Sequence, residues 1–159
     1  MHCVGDRSHQ RFFSDVRAAR PESVPQLRHA LVAFARAAGA EPQQCEAVQL
    51  AVSEAVTNVV LHAYGDAGGL IHVSARVAGT ELWVLVGDDG RGLNAPSRRP
   101  GLGQGLALIG AVSDSTAVLR RPSGGTELRL RFVLHARRAS APRRLRAVPN
   151  EGELGQFAA

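Results

Sequence analysis

Apolar positions recur along the chain in two periods, and the change from one to the other marks its elements. Arg11-Phe12-Phe13-Ser14-Asp15-Val16 reads as a first strand. Arg20-Pro21-Glu22-Ser23 breaks it and offers Ser23 as a helix N-cap, with Pro25 tolerated in the first turn. Leu27, Leu31, Phe34 and Ala35 then repeat at helical spacing until Gly39, where a helix can stop. A second helix opens near Glu41-Pro42 and runs to about His62, ending at the turn Tyr64-Gly65-Asp66-Ala67-Gly68-Gly69. Ile71, Val73 and Ala75 alternate with His72, Ser74 and Arg76, the pattern of a half-buried antiparallel strand. This predicts strands over Leu70–Val77 and Glu81–Val86, joined through Ala78-Gly79-Thr80. Residues 94–103 are irregular and rich in Pro, Arg and Gly; a third helix follows from Gly105 to about Val112. Ser115–Arg120 and Thr126–Leu134 form the last pair of strands across Pro122-Ser123-Gly124-Gly125. The order β-α-α-β-β-α-β-β predicts an α+β, two-layer sandwich: one mixed, mostly antiparallel sheet with the helices on a single face. No internal repeat interrupts it.

At 159 residues the chain is long enough for one domain with a buried core. The pattern assigns that domain to residues 10–134, with a loose segment over 1–9. Charge marks the other boundary. The net charge of +5 suggests nucleic-acid binding until it is located. Arg137, Arg138, Arg143, Arg144 and Arg146 crowd a short stretch without acidic residues, whereas charges nearly cancel between Gln10 and Val133. Residues 135–159 therefore read as a solvated, disordered basic tail, and direct nucleic-acid binding is not the expectation for the domain. No apolar run approaches the length of a membrane span and the first residues lack a signal-peptide layout. Cys3 and Cys45 lack metal-ligand spacing, which suits reduced thiols and a cytoplasmic location. The sequence has no lysine, which excludes a Walker-type phosphate loop.

Candidate chemistry begins on the second helix. At about 100° per residue, Val48, Val52, Val56 and Val59 form one stripe facing the core. Glu54, Asn58 and His62, spaced by four, lie on a roughly opposite face bordered by Leu50 and Leu61, which suggests a second, partly covered surface. Glu54 can serve as a general base, and Asn58 offers a neutral oxygen to a hard cation such as Mg²⁺. Taken alone, such a row is also the pattern of an ordinary solvated helix face. His62 fits a helix-end cap or a packing role better than chemistry.

Two glycine-bearing stretches add to it. Asp88-Asp89-Gly90-Arg91-Gly92 follows the apolar run Leu82–Val86, so a carboxylate ends a strand just where glycines let the backbone turn away. A buried carboxylate needs a partner, and a ligand amino group is one; a turn with a capping Asp is the plainer alternative. Farther on, Gly101, Gly103 and Gly105 alternate at the predicted start of the third helix, where free N–H groups and the helix dipole favour phosphate. Leu106 replaces the third glycine of a dinucleotide fingerprint and no strand precedes the loop, so that class is excluded. Arg98 and Arg99 are candidates for charge toward a terminal phosphate.

Glu54-Ala-Val-Thr-Asn58, Asp88-Asp-Gly-Arg-Gly92, Gly101-Leu-Gly-Gln-Gly105 and Gly124-Gly-Thr-Glu127, in this order, resemble the ATP-binding domain shared by gyrase-type ATPases, Hsp90, histidine kinases and MutL, the Bergerat-type fold. The run from Glu54 through His62-Ala63-Tyr64 is most similar to a compact branch, the bacterial anti-sigma-factor serine kinases. The resemblance spans residues 10–134. It implies Asn58 as a Mg²⁺ ligand and Glu54 as the base. Asp88 is implied to accept from the adenine amino group beside Thr126. Gly90 and Gly92 would shape the pocket, with Gly101, Gly103, Gly105 and Leu106 along the phosphate lid. It further implies ATP as the phosphoryl donor, an anti-sigma antagonist as substrate, a sigma factor as bound partner, and a homodimer. Relatives of the sporulation type often carry an arginine where Gly101 stands, so Arg98 and Arg99 are the nearest replacements. A non-catalytic, nucleotide-dependent binding module and a detached histidine-kinase ATPase domain are the alternatives.

Overall fold

The alternating apolar positions become the inner face of a five-stranded sheet in the computed structural model, which describes residues 12–92 and 102–135. The strands are β1 (Phe12–Ala18), β2 (Leu70–Ala78), β3 (Glu81–Asp88), β4 (Ser115–Arg120) and β5 (Thr126–Val133). Their order across the sheet is β1-β2-β3-β5-β4, and all four ladders are antiparallel. Ile71, Val73 and Ala75 of β2, Leu82, Val84 and Val86 of β3, and Leu128, Leu130 and Phe132 of β5 are buried on one side of the sheet. The intervening residues of these strands are less covered, as one-sided packing requires.

Three helices, α1 (Ser23–Ala37), α2 (Pro42–Asn58) and α3 (Leu102–Val112), supply the other half of the core. Leu27, Leu31 and Phe34 of α1 and the stripe Val48, Val52, Val56 and Val59 interleave with the sheet side chains. Each of these fully buried side chains contributes about 1.5–3 kcal/mol relative to exposure. β1 extends two residues beyond the sequence reading. Ser23 is not the N-cap: it is the first residue of α1, with its hydroxyl donating to the Ala18 carbonyl at 2.7 Å. The N–H groups of Ser23 and Val24 already donate to the Arg20 and Pro21 carbonyls, so the first turn does not need the hydroxyl. α2 instead opens with a reciprocal cap. The Glu41 side chain accepts from the Gln44 backbone, and the Glu41 N–H donates to Gln44 Oε1 at 3.1 Å. Gln44 Nε2 also donates to the Val133 carbonyl at 2.6 Å, pinning the start of α2 to the end of β5.

The α-helical part of α2 ends at Asn58, four residues before its predicted end near His62. Val59–Ala63 continues it as a π-helical turn, a wider coil that turns the last carbonyls off the α-helical line. Half-buried His62 lies in this turn. The helix therefore presents two consecutive surfaces, an α-helical one up to Asn58 and a π-helical one ending at Ala63. Among the described residues no helix is long and apolar enough to cross a membrane. Cys45 is a free, buried thiol.

Candidate functional site

Two clusters of the sequence-predicted residues assemble along the C-terminal half of that composite helix, one at Glu54 and Asn58 and one where Ala63 meets the Asp88 loop. In the first, α3 packs across α2 at Gly105. A methyl group on Gly105 would stand 3.0 Å from Glu54 Oε2 and 3.4 Å from Asn58 Oδ1. The missing side chain thus lets the α3 backbone settle against the two polar groups of the α2 row. Glu54 and Asn58 are half-buried, whereas Leu50 and Leu61 remain 38% and 41% exposed. The second surface inferred from the leucine borders is real for the polar pair, and it is α3 that covers it.

α3 begins at Leu102, three residues earlier than its predicted start. Gly103 and Gly105 accordingly lie inside its first turns instead of in a loop before it. Their N–H groups are still among the first four of the helix, which lack intrahelical acceptors. Leu106 is half-buried against the core. Arg98, Arg99 and Gly101 fall outside the described residues.

The second cluster surrounds the end of β3. Asp88 is only 5% exposed, one of two buried polar residues among those described. Its Oδ1 accepts from the Gly90 N–H at 2.9 Å and from the Thr126 N–H at 3.3 Å, so the carboxylate ties its own turn to the start of β5. The contact with Thr126 is made by the backbone. Glycine is required around this knot by close approach: a Cβ on Gly90 would overlap the Ala63 carbonyl, and one on Gly125 would overlap the Asp88 carbonyl. Gly92 adopts φ 75°, and a Cβ there would come 2.7 Å from the Gly124 carbonyl oxygen. The β4–β5 hairpin and the π-turn therefore press on the Asp88 loop from two sides.

Asp89 points to different partners. Its carboxylate accepts from the Ser123 hydroxyl at 2.7 Å, meets His72 Nε2 at 2.8 Å and lies 3.5 Å from Arg121 Nη1. The Ser123 hydrogen bond, then His72 and the Arg121 charge, hold its carboxyl below the ordinary value of 3.8 against the opposing effect of burial. A carboxyl with a depressed folded-state pKa adds stability while it is ionised and loses that contribution as pH falls through the depressed value. Asp89→Asn is therefore expected to unfold more easily than the parent chain at neutral pH. The difference should shrink below about pH 3.8, a window checked by denaturant titrations across pH 2.5–6. A gap that stays constant through the acid range would remove Asp89 from this role.

Gly125 and Asp89 were not singled out as site residues by sequence reasoning. For Gly125 the signal was the Gly-Gly pair before a strand; for Asp89 no local signal exists, because its partners lie on β2 and the β4–β5 hairpin.

The profile of the histidine kinase-like ATPase domain matches residues 17–132, most of the chain. The anti-sigma F factor of Clostridium kluyveri is 31% identical over 100 residues, 56% of this chain and 70% of that protein. This chain belongs to the anti-sigma-factor serine kinases of the histidine kinase-like ATPase family. The anti-sigma F factor of Clostridium acetobutylicum is 28% identical over 121 residues, 69% of this chain and 85% of that protein. The serine-protein kinase RsbW of Listeria innocua is 36% identical over 86 residues, 54% of this chain and 55% of the relative. A crystal structure of the RsbU and RsbW domains of a Mycobacterium tuberculosis protein superposes with a TM-score of 0.63 at 27% identity; the match covers 79% of this chain and 34% of that longer one.

Proposed function

We propose that the chain is an ATP-dependent protein-serine/threonine kinase that acts as an anti-sigma factor, phosphorylating an anti-sigma antagonist and sequestering a sigma factor. The observation that carries this reading is the joint placement of Glu54 and Asn58 beneath Gly105 at the start of α3. From Glu54 to Ala63 the composite helix spans roughly 13 Å. That suits an extended nucleoside triphosphate lying along it, with the base at the Asp88 loop and the phosphates at Glu54.

In this reading Asp88 accepts a hydrogen bond from the adenine amino group through Oδ2, since Gly90 and Thr126 both donate to Oδ1. Gly90 and Gly92 keep the loop low enough for a flat base to approach. The N–H groups of Gly103 and Gly105, with Leu106 behind them, face the phosphates from the first turns of α3. Arg98, Arg99 and Gly101, outside the described residues, are the further candidates for phosphate contact. A carboxamide oxygen beside a carboxylate is a donor set that fits a hard divalent cation, so Asn58 is assigned to Mg²⁺. Bound there, the metal would neutralise charge developing on the phosphate oxygens. Glu54 takes the proton of the attacking hydroxyl as the serine oxygen bonds to the γ-phosphorus and the bond to the bridging oxygen breaks.

The partners in this proposal are an antagonist protein as substrate, a sigma factor, and a second copy of the chain. Relatives named anti-sigma F factor and serine-protein kinase support both halves of the assignment. The test is to recover the proteins that co-purify with the chain from its native cell and incubate the mixture with γ-labelled ATP. Label on a serine or threonine of a small co-purified protein is expected. A sigma factor in the mixture with no label on any protein would leave a binding module and not a kinase.

A further inference from the structure

The segment just past α2 grips the Asp88 loop through two consecutive residues. Ala63 contributes its carbonyl, which accepts from the Arg91 N–H at 2.9 Å and lies under Gly90. Tyr64 contributes its phenol. The hydroxyl donates to the Leu70 carbonyl at 2.6 Å and accepts from the Asp89 N–H at 2.8 Å. One oxygen thereby joins the first residue of β2 to the residue after Asp88. The ring that carries it lies flat on Gly69, where any Cβ would overlap it. Gly69 therefore fixes the ring, the ring fixes the hydroxyl, and the hydroxyl fixes the amide that follows Asp88.

We propose that Tyr64 is a positioning residue for adenine recognition: its hydroxyl sets where the Asp88 carboxylate presents itself to the base. The inference rests on the ATP-site reading above. The peptide between Asp88 and Asp89 contains the Asp89 N–H, so rotation of that peptide swings the Asp88 end of the loop directly. Gly90 on the other side offers no side chain to resist such rotation. Oδ1 of Asp88 is restrained by Gly90 and Thr126, but both restraints belong to the same loop and its hairpin neighbour. Together with the Ala63 carbonyl, Tyr64 anchors the loop to the helix layer, where Asn58 and Glu54 reside.

Tyr64→Phe keeps the ring on Gly69 and removes only the hydroxyl. Isothermal titration of Mg·ATP and Mg·GTP into the full chain and into this variant, with a melting curve of each, tests the role. ATP affinity should weaken about three- to tenfold, the usual worth of one hydrogen bond, and the preference for ATP over GTP should narrow by a similar factor. A residue that merely stabilises the fold would lower the melting temperature and leave the ATP/GTP ratio unchanged. That ratio unchanged, with or without a lower melting temperature, overturns the assignment of Tyr64 alone. A parent chain that fails to prefer ATP over GTP overturns the nucleotide reading, and this inference with it.

Discussion

Glu54→Gln is expected to reduce phosphoryl transfer from ATP to the antagonist by about 10²–10⁴-fold, the range for loss of a positioned general base. The side-chain shape is unchanged, so the contact with Gly105 survives and α3 has no reason to move. Nucleotide binding should therefore stay within about threefold of the parent value, because a base acts in the transition state and contributes little to the ground state. The combination separates a kinase from a domain that only holds nucleotide. Transfer that persists in Glu54→Gln at the parent rate would remove Glu54 from the chemistry.

Asp88→Asn should have the second large effect, and on binding. The carboxamide oxygen can still accept from Gly90 and Thr126, so the turn survives. What changes is the outer atom, which becomes an N–H₂ group facing the adenine amino group, donor against donor. Loss of a hydrogen bond to a charged acceptor costs about 1.5–3 kcal/mol, or roughly 10- to 100-fold in ATP affinity. Asp88→Ala is a poorer probe. It strips the acceptor from two backbone N–H groups at a buried position, which adds about 1–3 kcal/mol of instability for each that stays unsatisfied. A melting temperature near the parent's together with lost ATP binding in Asp88→Asn is the expected signature. Equal ATP affinity in the two chains would move the adenine elsewhere.

Much of this architecture is legible along the chain because it is periodic or punctuated. The valine stripe of α2 and the alternation in β2 define buried faces by local repetition alone. The glycine pairs mark the places where backbones approach. The order of elements follows from the same patterns. What the pattern does not contain are contacts between residues far apart in the chain. Ser23 has the chemistry of an N-cap, but whether its hydroxyl caps or turns back to Ala18 depends on the carbonyls of Arg20 and Pro21. Nothing local distinguishes a helix that ends at Asn58 from one that widens into a π-turn to deliver the Ala63 carbonyl to Arg91. Leu102 joins the third helix because α3 packs across α2, and glycines that look like loop residues are drawn into its first turns. Tyr64 illustrates the limit most clearly. Its neighbours in sequence form a turn, and its two hydrogen-bond partners, Leu70 and Asp89, come together only once β2 and β3 are paired.

The helices cover one side of the sheet, while His72, Asp89, Ser123 and Arg121 connect the Asp88 loop to the other side. A change in that polar cluster reaches Asp88, the proposed adenine anchor, through a single peptide bond.

The most direct measurement of the central claim is a calorimetric titration of the unmodified chain with ATP, in parallel with GTP, each with and without Mg²⁺. The account predicts one saturable site per chain that prefers ATP clearly over GTP and binds it more tightly when Mg²⁺ is present. Absence of ATP binding, or equal binding of the two nucleotides, would contradict it.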